Sequence, residues 1–277
     1  MTDQQTLDGM PRRLYRATPT RLTTWLDCPR RYRFSYLDRP PPDKGPPWAH
    51  NTLGAAVHNA LAQWWRLPVE ARTVPRAGVL VAEYWSMDGF RDEDQARLWL
   101  KRAREMVERY VSGVDPDDEP RGIERTVSTV HDGAALSGRI DRLDEREGEL
   151  VVVDYKTGRH LLTTDDVRSS LALAVYAAAA ERTLRRPCRR VELHHLPSGE
   201  VATYEHDERS LGRHLNRAAE IAAECADADA SFRSGQTSEA DFPPTPSPLC
   251  GWCDFRRHCP EGQATSPERP TWAGLAD

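Results

Sequence analysis

The stretch Leu136–Gly158, LSGRIDRLDEREGELVVVDYKTG, contains two strand patterns joined by a charged turn. Gly138–Leu143 alternates apolar and polar residues, as a half-buried strand does. Asp144–Glu149 contains a glycine and predicts a hairpin loop. Leu150–Val153 is an apolar run typical of a buried strand, and it leads into a charged end. The stretch therefore predicts a hairpin at the centre of the fold.

Three charged side chains are expected to converge at the ends of this hairpin. Side chains alternate along a strand, so Asp154 and Lys156 share a face, and the hairpin brings Asp141 back towards them. Such charges are costly to bury unless something compensates them. A hard divalent cation held by carboxylates would do so, and the lysine could orient a water or stabilise charge on a phosphate. A solvated surface hairpin is the alternative, but the spacing, the apolar lead-in and the following glycine favour a metal site.

The pattern G-R-I-D-R followed by D-Y-K-T-G resembles the catalytic core of the PD-(D/E)xK nuclease superfamily, and within it the RecB-like branch. The resemblance implies an α/β fold, a restriction-endonuclease-like mixed sheet flanked by helices. It implies Asp141 and Asp154 as ligands of Mg²⁺ or Mn²⁺ and Lys156 as the catalytic lysine. The implied activity is that of a metal-dependent DNA exonuclease acting on single-stranded or end-containing DNA, in repair, recombination or defence.

Three further residues match this resemblance. His58, in a G-x-x-x-H pattern on an early helix, corresponds to an additional metal ligand, although its helical spacing alone also fits a core histidine. Glu124 resembles a glutamate that precedes the first strand of the family, either near the metal or on the surface. Tyr176 matches the tyrosine of a Q-L-x-x-Y pattern and could contact a phosphate or the lysine. Ala172 stands where that pattern has glutamine, which puts ordinary DNA-backbone contacts or full activity in question.

A second motif is the cysteine triplet Cys250, Cys253 and Cys259, spaced C-x₂-C-x₅-C. Zinc held by these thiolates and His258 is a local solution. The alternative fourth ligand is Cys28, far upstream. With it the pattern resembles the iron–sulfur clasp of AddB-type and CRISPR-associated RecB-like nucleases. That resemblance implies a [4Fe–4S] cluster with four thiolate ligands that joins the N- and C-terminal segments and stabilises the fold.

Composition is that of a globular chain. The 277 residues are 39% hydrophobic and 29% charged, with a net charge of −5. That charge does not suggest a DNA-binding protein, but nucleic acid is bound by local patches, and arginines cluster at 12–21, 30–33 and 182–190. The chain lacks both an apolar run of roughly 20 residues and an apolar leader core. A cytoplasmic protein that does not bind membranes is therefore expected.

Helical spacing predicts helices at 18–37, bent or broken at Pro29, and at 48–67, 93–111, 164–183 and 208–226, with a second hairpin at 191–204. We expect a flexible leader at 1–17, a single nuclease domain at 18–262 and a flexible tail at 263–277. The core motifs would lie at 121–180, and the cluster segment at 250–260 would act with Cys28.

Two other functions fit parts of the sequence. No G-x-x-x-x-G-K-[ST] loop occurs, so the chain has no ATP motor of its own, and a helicase or another repair or defence protein is an expected partner beside DNA. The chain could then be a non-catalytic DNA-binding subunit of a helicase–nuclease complex, which the alanine at 172 favours. The other possibility is a zinc-stabilised scaffold. Retention of Asp141, Asp154 and Lys156 favours the enzyme.

Overall fold

The structure, a computed structural model, describes residues 14–235 and 238–275. Its strands are β1 (Tyr15–Ala17), β2 (Gly122–His131), β3 (Ala134–Arg146), β4 (Glu149–Lys156), β5 (Arg190–His195) and β6 (Glu200–Glu205). Its helices are α1 (Pro19–Asp27), α2 (Pro29–Tyr36), α3 (Ala49–Arg66), α4 (Val74–Glu83), α5 (Glu93–Ser112), α6 (Thr164–Ser169), α7 (Leu171–Leu184), α8 (Glu208–Ser234) and α9 (Pro260–Thr265).

The strands form one mixed sheet built around β3. The order is β1-β3-β4-β5-β6, and β2 pairs with β3 as well. The β1–β3 and β4–β5 pairs are parallel, while the β2–β3, β3–β4 and β5–β6 pairs are antiparallel. Helices pack against this sheet, so the predicted α/β fold with a mixed sheet flanked by helices is confirmed.

The central hairpin is tighter than the sequence predicts. Strands β3 and β4 continue to the pair Arg146 and Glu149, so the loop is only Glu147 and Gly148. Both loop residues have positive φ, 54° and 86°, as a two-residue hairpin turn requires. The charged residues that suggested a longer loop belong instead to the strand ladder.

Apolar side chains pack on both faces of the sheet. Helices α3, α4 and α5 cover one face with a core that includes Leu61, Trp64 and Val107. Helix α7 packs its alanines and Leu173 against Ile140 and Val152 on the other face. A third cluster joins α1, α2 and α8 to the first residues of β3. The central strands, which carry the acidic motifs, are thus packed on both faces.

The N-terminal segment agrees with one expectation and differs from another. The break expected at Pro29 is present: residues 18–37 form two helices, because Cys28 adopts an extended conformation and Pro29 begins the second one. The predicted leader does not extend to residue 17, because Tyr15–Ala17 pairs with β3 and Ala17 is buried. Residues 1–13 of that leader lie outside the described residues.

The predicted flexible tail also differs. Helix α9 begins at Pro260, and beyond it Trp272 and Leu275 pack against the core formed by α3 and α5. The carbonyl of Leu275 accepts hydrogen bonds from Trp99 Nε1 at 2.9 Å and Gln95 Nε2 at 3.4 Å. These contacts hold residues up to 275 against the domain, while 276–277 lie outside the described residues.

Across the ranges that the structure describes, no helix has both the length and the apolar character needed to cross a bilayer.

Candidate active site

Three of the sequence-predicted residues bring potential metal ligands together. His58 projects from α3, Glu124 from β2 and Asp141 from β3, and one ligand atom of each lies within 4.8 Å of the others. His58 Nδ1 is 3.3 Å from Asp141 Oδ2. Such a set of two carboxylates and an imidazole suits a divalent cation such as Mn²⁺ or Mg²⁺.

The strands are irregular where these carboxylates face each other. The β2–β3 register pairs Ile123 with Arg142 and Arg125 with Ile140 but skips Glu124 and Asp141 between them. Glu124 has a φ of 50°, which is uncommon for a residue other than glycine. Ile140 and Leu143 enter the same core cluster although they are three residues apart, so the two-residue alternation of β3 is broken around Asp141. Irregularities of this kind re-aim side chains at functional sites.

The acid and the lysine at the end of β4 form a close ion pair. Lys156 Nζ lies 2.5 Å from Asp154 Oδ2. Apart from this ion pair, Asp154 Oδ2 is buried without a hydrogen-bond partner in the described part of the chain. The backbone N–H of Tyr155 donates to Asp141 Oδ2 at 2.9 Å. Residues 154–156 therefore combine a buried carboxylate oxygen, a cation and a donor that orients the neighbouring carboxylate.

The charges of the site perturb its titrating groups. Burial raises the pKa of Asp154; Lys156 opposes this effect and Asp141 adds to it. Burial also raises the pKa of Glu124, with a further contribution from Asp141. Burial alone would lower the pKa of His58, but Asp141, Asp154 and Glu124 raise it. These directions describe a cluster of excess negative charge, which a bound cation would relieve.

Tyr176 lies against the same strand. A Cβ atom on Gly138 would be 2.1 Å from Tyr176 Cε1, so the ring lies over the bare backbone of β3. Burial raises the pKa of Tyr176 to about 12, and the charges of Asp154 and Asp141 contribute to the rise. The phenol of Tyr176 is thus within electrostatic reach of both carboxylates. Ala172 lies one turn earlier on α7, and its methyl group provides no hydrogen-bonding function.

The loop after Lys156 is fixed by the end of β5. The backbone N–H of Leu196 donates to the Lys156 carbonyl at 2.9 Å. His195 Nε2 lies 2.7 Å from the Gly158 carbonyl, and His195 Nδ1 lies 2.7 Å from Ser198 Oγ. These bonds hold the D-Y-K-T-G segment to its parallel neighbour.

An open cleft of about 660 Å³ borders His58, Glu124 and Asp141. Several residues that line this cleft have no predicted role. His50, like Gly54 and His58, lines the cleft from α3, and the four-residue spacing of these three could have identified His50. Leu275 closes another side, and no local pattern in the sequence indicates this long-range contact.

Behind β4, on the face covered by α3 and α5, lies a buried ionic network. Arg142 donates two hydrogen bonds to Asp144, at 2.7 and 2.5 Å. Arg146 bridges Asp144 and Glu192, at 2.8 Å from each. His194 Nε2 lies 2.9 Å from Glu192 Oε2. The network links β3 to β5 across β4, the strand that carries Asp154 and Lys156.

The four cysteines of the predicted clasp line one cavity, although Cys28 is more than 200 residues from the other three. Backbone N–H groups of Ser247 and Gly262 donate to the sulfurs of Cys250 and Cys259, each at 3.4 Å. Arg30 Nη1 lies 3.8 Å from Cys259 Sγ. His258 is not among the lining residues. Its Nε2 is 3.0 Å from the carbonyl of Asp43.

The family model described as the PD-(D/E)XK nuclease superfamily matches residues 16–260. The chain belongs to the PD-(D/E)XK nuclease superfamily. Nucleases of this superfamily use divalent metal ions, and the group of His58, Glu124 and Asp141 supplies suitable ligands. No curated protein has a significant match to the sequence.

Two solved structures are similar to this chain. One is described as "Putative exonuclease" from Eubacterium rectale, with 11% identity, a TM-score of 0.49 and coverage of 93% of this chain and 92% of that chain. The other is SSO0001, with 15% identity, a TM-score of 0.37 and coverage of 89% of this chain and 86% of that chain.

Proposed function

We propose that the chain is a metal-dependent deoxyribonuclease that degrades single-stranded or end-containing DNA as an exonuclease. One observation carries this proposal: His58, Glu124 and Asp141 present ligand atoms within 4.8 Å of one another beside the Asp154–Lys156 pair. The exonuclease mode and the DNA substrate come from the resemblance of G-R-I-D-R and D-Y-K-T-G to the RecB-like branch.

In this proposal His58, Asp141 and Asp154 hold Mg²⁺ or Mn²⁺, with Glu124 as a further ligand or a carboxylate beside the metal. When bound, the ion supplies Lewis-acid activation of water and neutralises charge on the phosphate. Imidazole is a poorer ligand for Mg²⁺ than for Mn²⁺, so His58 favours an enzyme that works well with manganese.

Lys156 is the proposed catalytic lysine. Its side chain is 45% exposed, so the ammonium could leave Asp154 and reach a phosphate bound in the cleft. There it would orient the attacking water or stabilise the developing negative charge. Tyr176 is proposed to donate a hydrogen bond to the substrate phosphate or to position Lys156. The raised pKa of Tyr176 keeps its hydroxyl protonated at neutral pH.

We further propose that Cys28, Cys250, Cys253 and Cys259 hold a [4Fe–4S] cluster. Their common cavity and the N–H groups donating to two of the sulfurs support a bound metal group, because hydrogen bonds to thiolate sulfurs tune such clusters. The position of His258, which faces the Asp43 carbonyl, argues against zinc held by three cysteines and this histidine.

The cluster proposal is tested by anaerobic purification followed by iron, sulfide and zinc analysis. We expect about four iron atoms per chain and broad visible absorbance, both lost in Cys28→Ser and retained in Cys188→Ala, whose sulfur lies elsewhere in the core. Stoichiometric zinc without iron, or iron retained by Cys28→Ser, would refute a four-cysteine iron–sulfur site.

A non-catalytic DNA-binding subunit is the second candidate, because Ala172 replaces the polar residue of the family pattern. Cleavage assays distinguish the two proposals. The substrates are linear and circular single-stranded DNA, linear duplex DNA and RNA, each with Mn²⁺ or Mg²⁺. We expect the linear DNAs to be degraded and the circle spared. Asp154→Asn should lower the rate by at least ~10²-fold, since a metal ligand is lost, whereas Asp227→Asn, an exposed control, should match the parent. Binding without cleavage would favour the non-catalytic subunit.

A further inference from the structure

A second cleft, of about 950 Å³, lies between β1, the end of α2 and the end of α8. Four arginines line it: Arg16, Arg21, Arg39 and Arg233. We call it the basic cleft. None of the residues proposed for metal binding or catalysis lines it.

The positive charge of the basic cleft is only partly neutralised. Among the described residues that line it, Asp229 is the one carboxylate; it is buried and already forms ion pairs with Arg21 at 2.8 Å and Arg233 at 3.1 Å. Arg39 donates to the carbonyls of Asp38 and Tyr36 rather than to an acid. No carboxylate of the described ranges forms an ion pair with Arg16 or Arg39. Within the part of the chain that the structure describes, four guanidinium groups thus face one carboxylate, in a protein whose net charge is −5.

The cleft is also preorganised and aromatic. The Arg21 guanidinium lies over the rings of Tyr15, Tyr32 and Tyr36, at 5.3, 5.2 and 4.8 Å from the ring centroids. Tyr32 also donates to Asp229 at 2.7 Å, which fixes the floor of the cleft. Held guanidinium groups bind phosphates with little loss of side-chain entropy. Basic grooves with aromatic side chains are typical of sites that bind single-stranded nucleic acid.

The register of the sheet relates the basic cleft to the candidate active site. Arg16 pairs with Ala135 on β3, and Asp141 lies six residues further along the same strand. At about 3.3 Å per residue, the separation along the strand is roughly 20 Å. A stacked nucleic-acid strand advances about 3.4 Å per nucleotide, so about six nucleotides would span this distance.

We propose that the basic cleft binds the sugar–phosphate backbone of single-stranded DNA several nucleotides away from the bond that is cut. This inference rests on the proposed nuclease function, whose substrate it would hold during successive cuts. Arginine contacts to phosphate carry no sequence information, so the site should bind strands of any sequence.

The test compares two double variants with equal charge changes. Arg16→Ala with Arg39→Ala removes the two arginines that lack an acidic partner. Arg104→Ala with Arg209→Ala removes two exposed arginines on α5 and α8, outside the basic cleft. Binding of a fluorescent 20-nucleotide oligothymidylate is measured in EDTA at several salt concentrations, after thermal unfolding shows that both variants fold like the parent.

We expect the cleft variant to bind at least ~10-fold more weakly than the parent. We also expect its log K against log[salt] slope to be shallower by about 1.4, for two lost phosphate contacts on a single strand. The control variant should match the parent in both its affinity and its salt slope. Equal affinities and slopes for the two double variants would overturn the proposal. So would retained DNA binding with selective loss of polyglutamate binding, which would indicate an acidic protein partner.

Failure of this inference and failure of the nuclease proposal are distinguishable. The binding assay contains no metal and requires no cleavage. Hydrolysis of a dinucleotide by the parent protein with Mn²⁺ reports the chemistry alone, because two nucleotides cannot span roughly 20 Å.

Discussion

At Gly138 the backbone of β3 passes directly beneath the ring of Tyr176. A side chain at this position would overlap the ring, since its Cβ would lie 2.1 Å from Cε1 and 2.9 Å from Cδ1. The glycine of G-R-I-D-R is therefore required by a contact, and that contact places the phenol near Asp141 and Asp154. The glycine motif and Tyr176 are both recognisable in the sequence, but their contact depends on the packing of α7 against β3 and has no local signal.

Gly138→Ala should lower the free energy of unfolding by about 1–3 kcal/mol, as overpacking in a core does. It should also slow cleavage, because the Tyr176 ring must move. Denaturant unfolding and an end-labelled DNA assay measure the two effects. Gly212→Ala is the control: its Cβ meets nothing within 4 Å, so the helix should be stabilised by up to about 1 kcal/mol. A Gly138→Ala protein as stable and active as the parent would contradict the contact.

A substitution at Glu124 tests whether this residue is a metal ligand or a surface acid. Its carboxylate lies near Asp141 and forms an ion pair with Arg139, in which Glu124 Oε2 is 2.8 Å from Arg139 Nε. Glu124→Gln should weaken Mn²⁺ binding by about 10- to 100-fold, measured by isothermal titration calorimetry. Glu105→Gln, an exposed change on α5, should leave the affinity unaltered. Equal Mn²⁺ affinities in both variants would remove Glu124 from the metal site.

The buried ionic network links strands β3 and β5 across β4. Burial alone would raise the pKa of Glu192, but hydrogen bonds from His194 and Arg146 lower it to about 2. A carboxyl group whose pKa is lowered by folding stabilises the protein above the pKa of the unfolded chain. That stabilisation is lost as the pH falls through the folded value.

Glu192→Gln should therefore lower the free energy of unfolding at pH 7 by up to roughly 3 kcal/mol, from the difference between about 2 and 4.5. The difference from the parent should shrink progressively between pH 4.5 and pH 2. Denaturant unfolding across this range measures it. The exposed control Glu149→Gln should show almost no pH-dependent difference. A Glu192→Gln penalty that stays constant down to pH 2 would contradict the lowered pKa.

The elements differ in how well the sequence predicts them. The β3–β4 hairpin follows from alternation, an apolar run and a glycine turn, which are all local features. Strand β1 has only three residues and is held by pairing with β3 and by the Tyr15 contact to Asp229 at 3.2 Å. The position of helix α4 is determined by its packing on α3 and α5. Tertiary contacts decide these two elements, so local patterns do not reveal them.

The C-terminal cysteine segment contacts the chain near the start of α3, so it joins parts of the molecule that are distant in sequence. Asp254 Oδ1 accepts from Trp48 Nε1 at 3.0 Å, and the Asp254 carbonyl accepts from the Gly45 N–H at 2.7 Å. Helix α3 carries His58, so the segment that contains the proposed cluster braces a helix of the candidate active site. Beyond this segment the chain continues to Leu275, which lines the active-site cleft.

Loss of the proposed cluster should therefore destabilise the protein as a whole. Cys28→Ser should lower the free energy of unfolding by several kcal/mol, because the binding free energy of a site that is absent from the unfolded chain adds to folding. Unfolding followed anaerobically by circular dichroism measures this. Cys188→Ala provides the control for loss of a buried sulfur alone. A Cys28→Ser protein no less stable than this control would contradict the clasp.

The sequence predicts the candidate site only in part. Asp154 and Lys156 are neighbours in a recognisable motif. The structure brings two of the three predicted metal ligands, His58 and Asp141, together with Glu124, whereas the third predicted ligand, Asp154, is not a member of that group. Their roles remain predictions. The contribution of Leu275 to the cleft depends on packing between residues nearly 180 apart, and the basic cleft depends on β1, α2 and α8 meeting. No local pattern encodes such distances.

We infer that Lys156 acts in chemistry at a metal held by its neighbours, and single-turnover kinetics separate that role from metal binding. Single-turnover cleavage of end-labelled single-stranded DNA with Mn²⁺ is measured for the parent, Lys156→Ala and the exposed control Lys101→Ala, with Mn²⁺ binding determined in parallel. We predict that Lys156→Ala binds Mn²⁺ but cleaves at least ~10²-fold more slowly, a loss comparable to removal of one charge-stabilising donor, while Lys101→Ala matches the parent. A parent that binds Mn²⁺ without cutting DNA, or a Lys156→Ala variant that cuts at the parental rate, would contradict a catalytic role of Lys156.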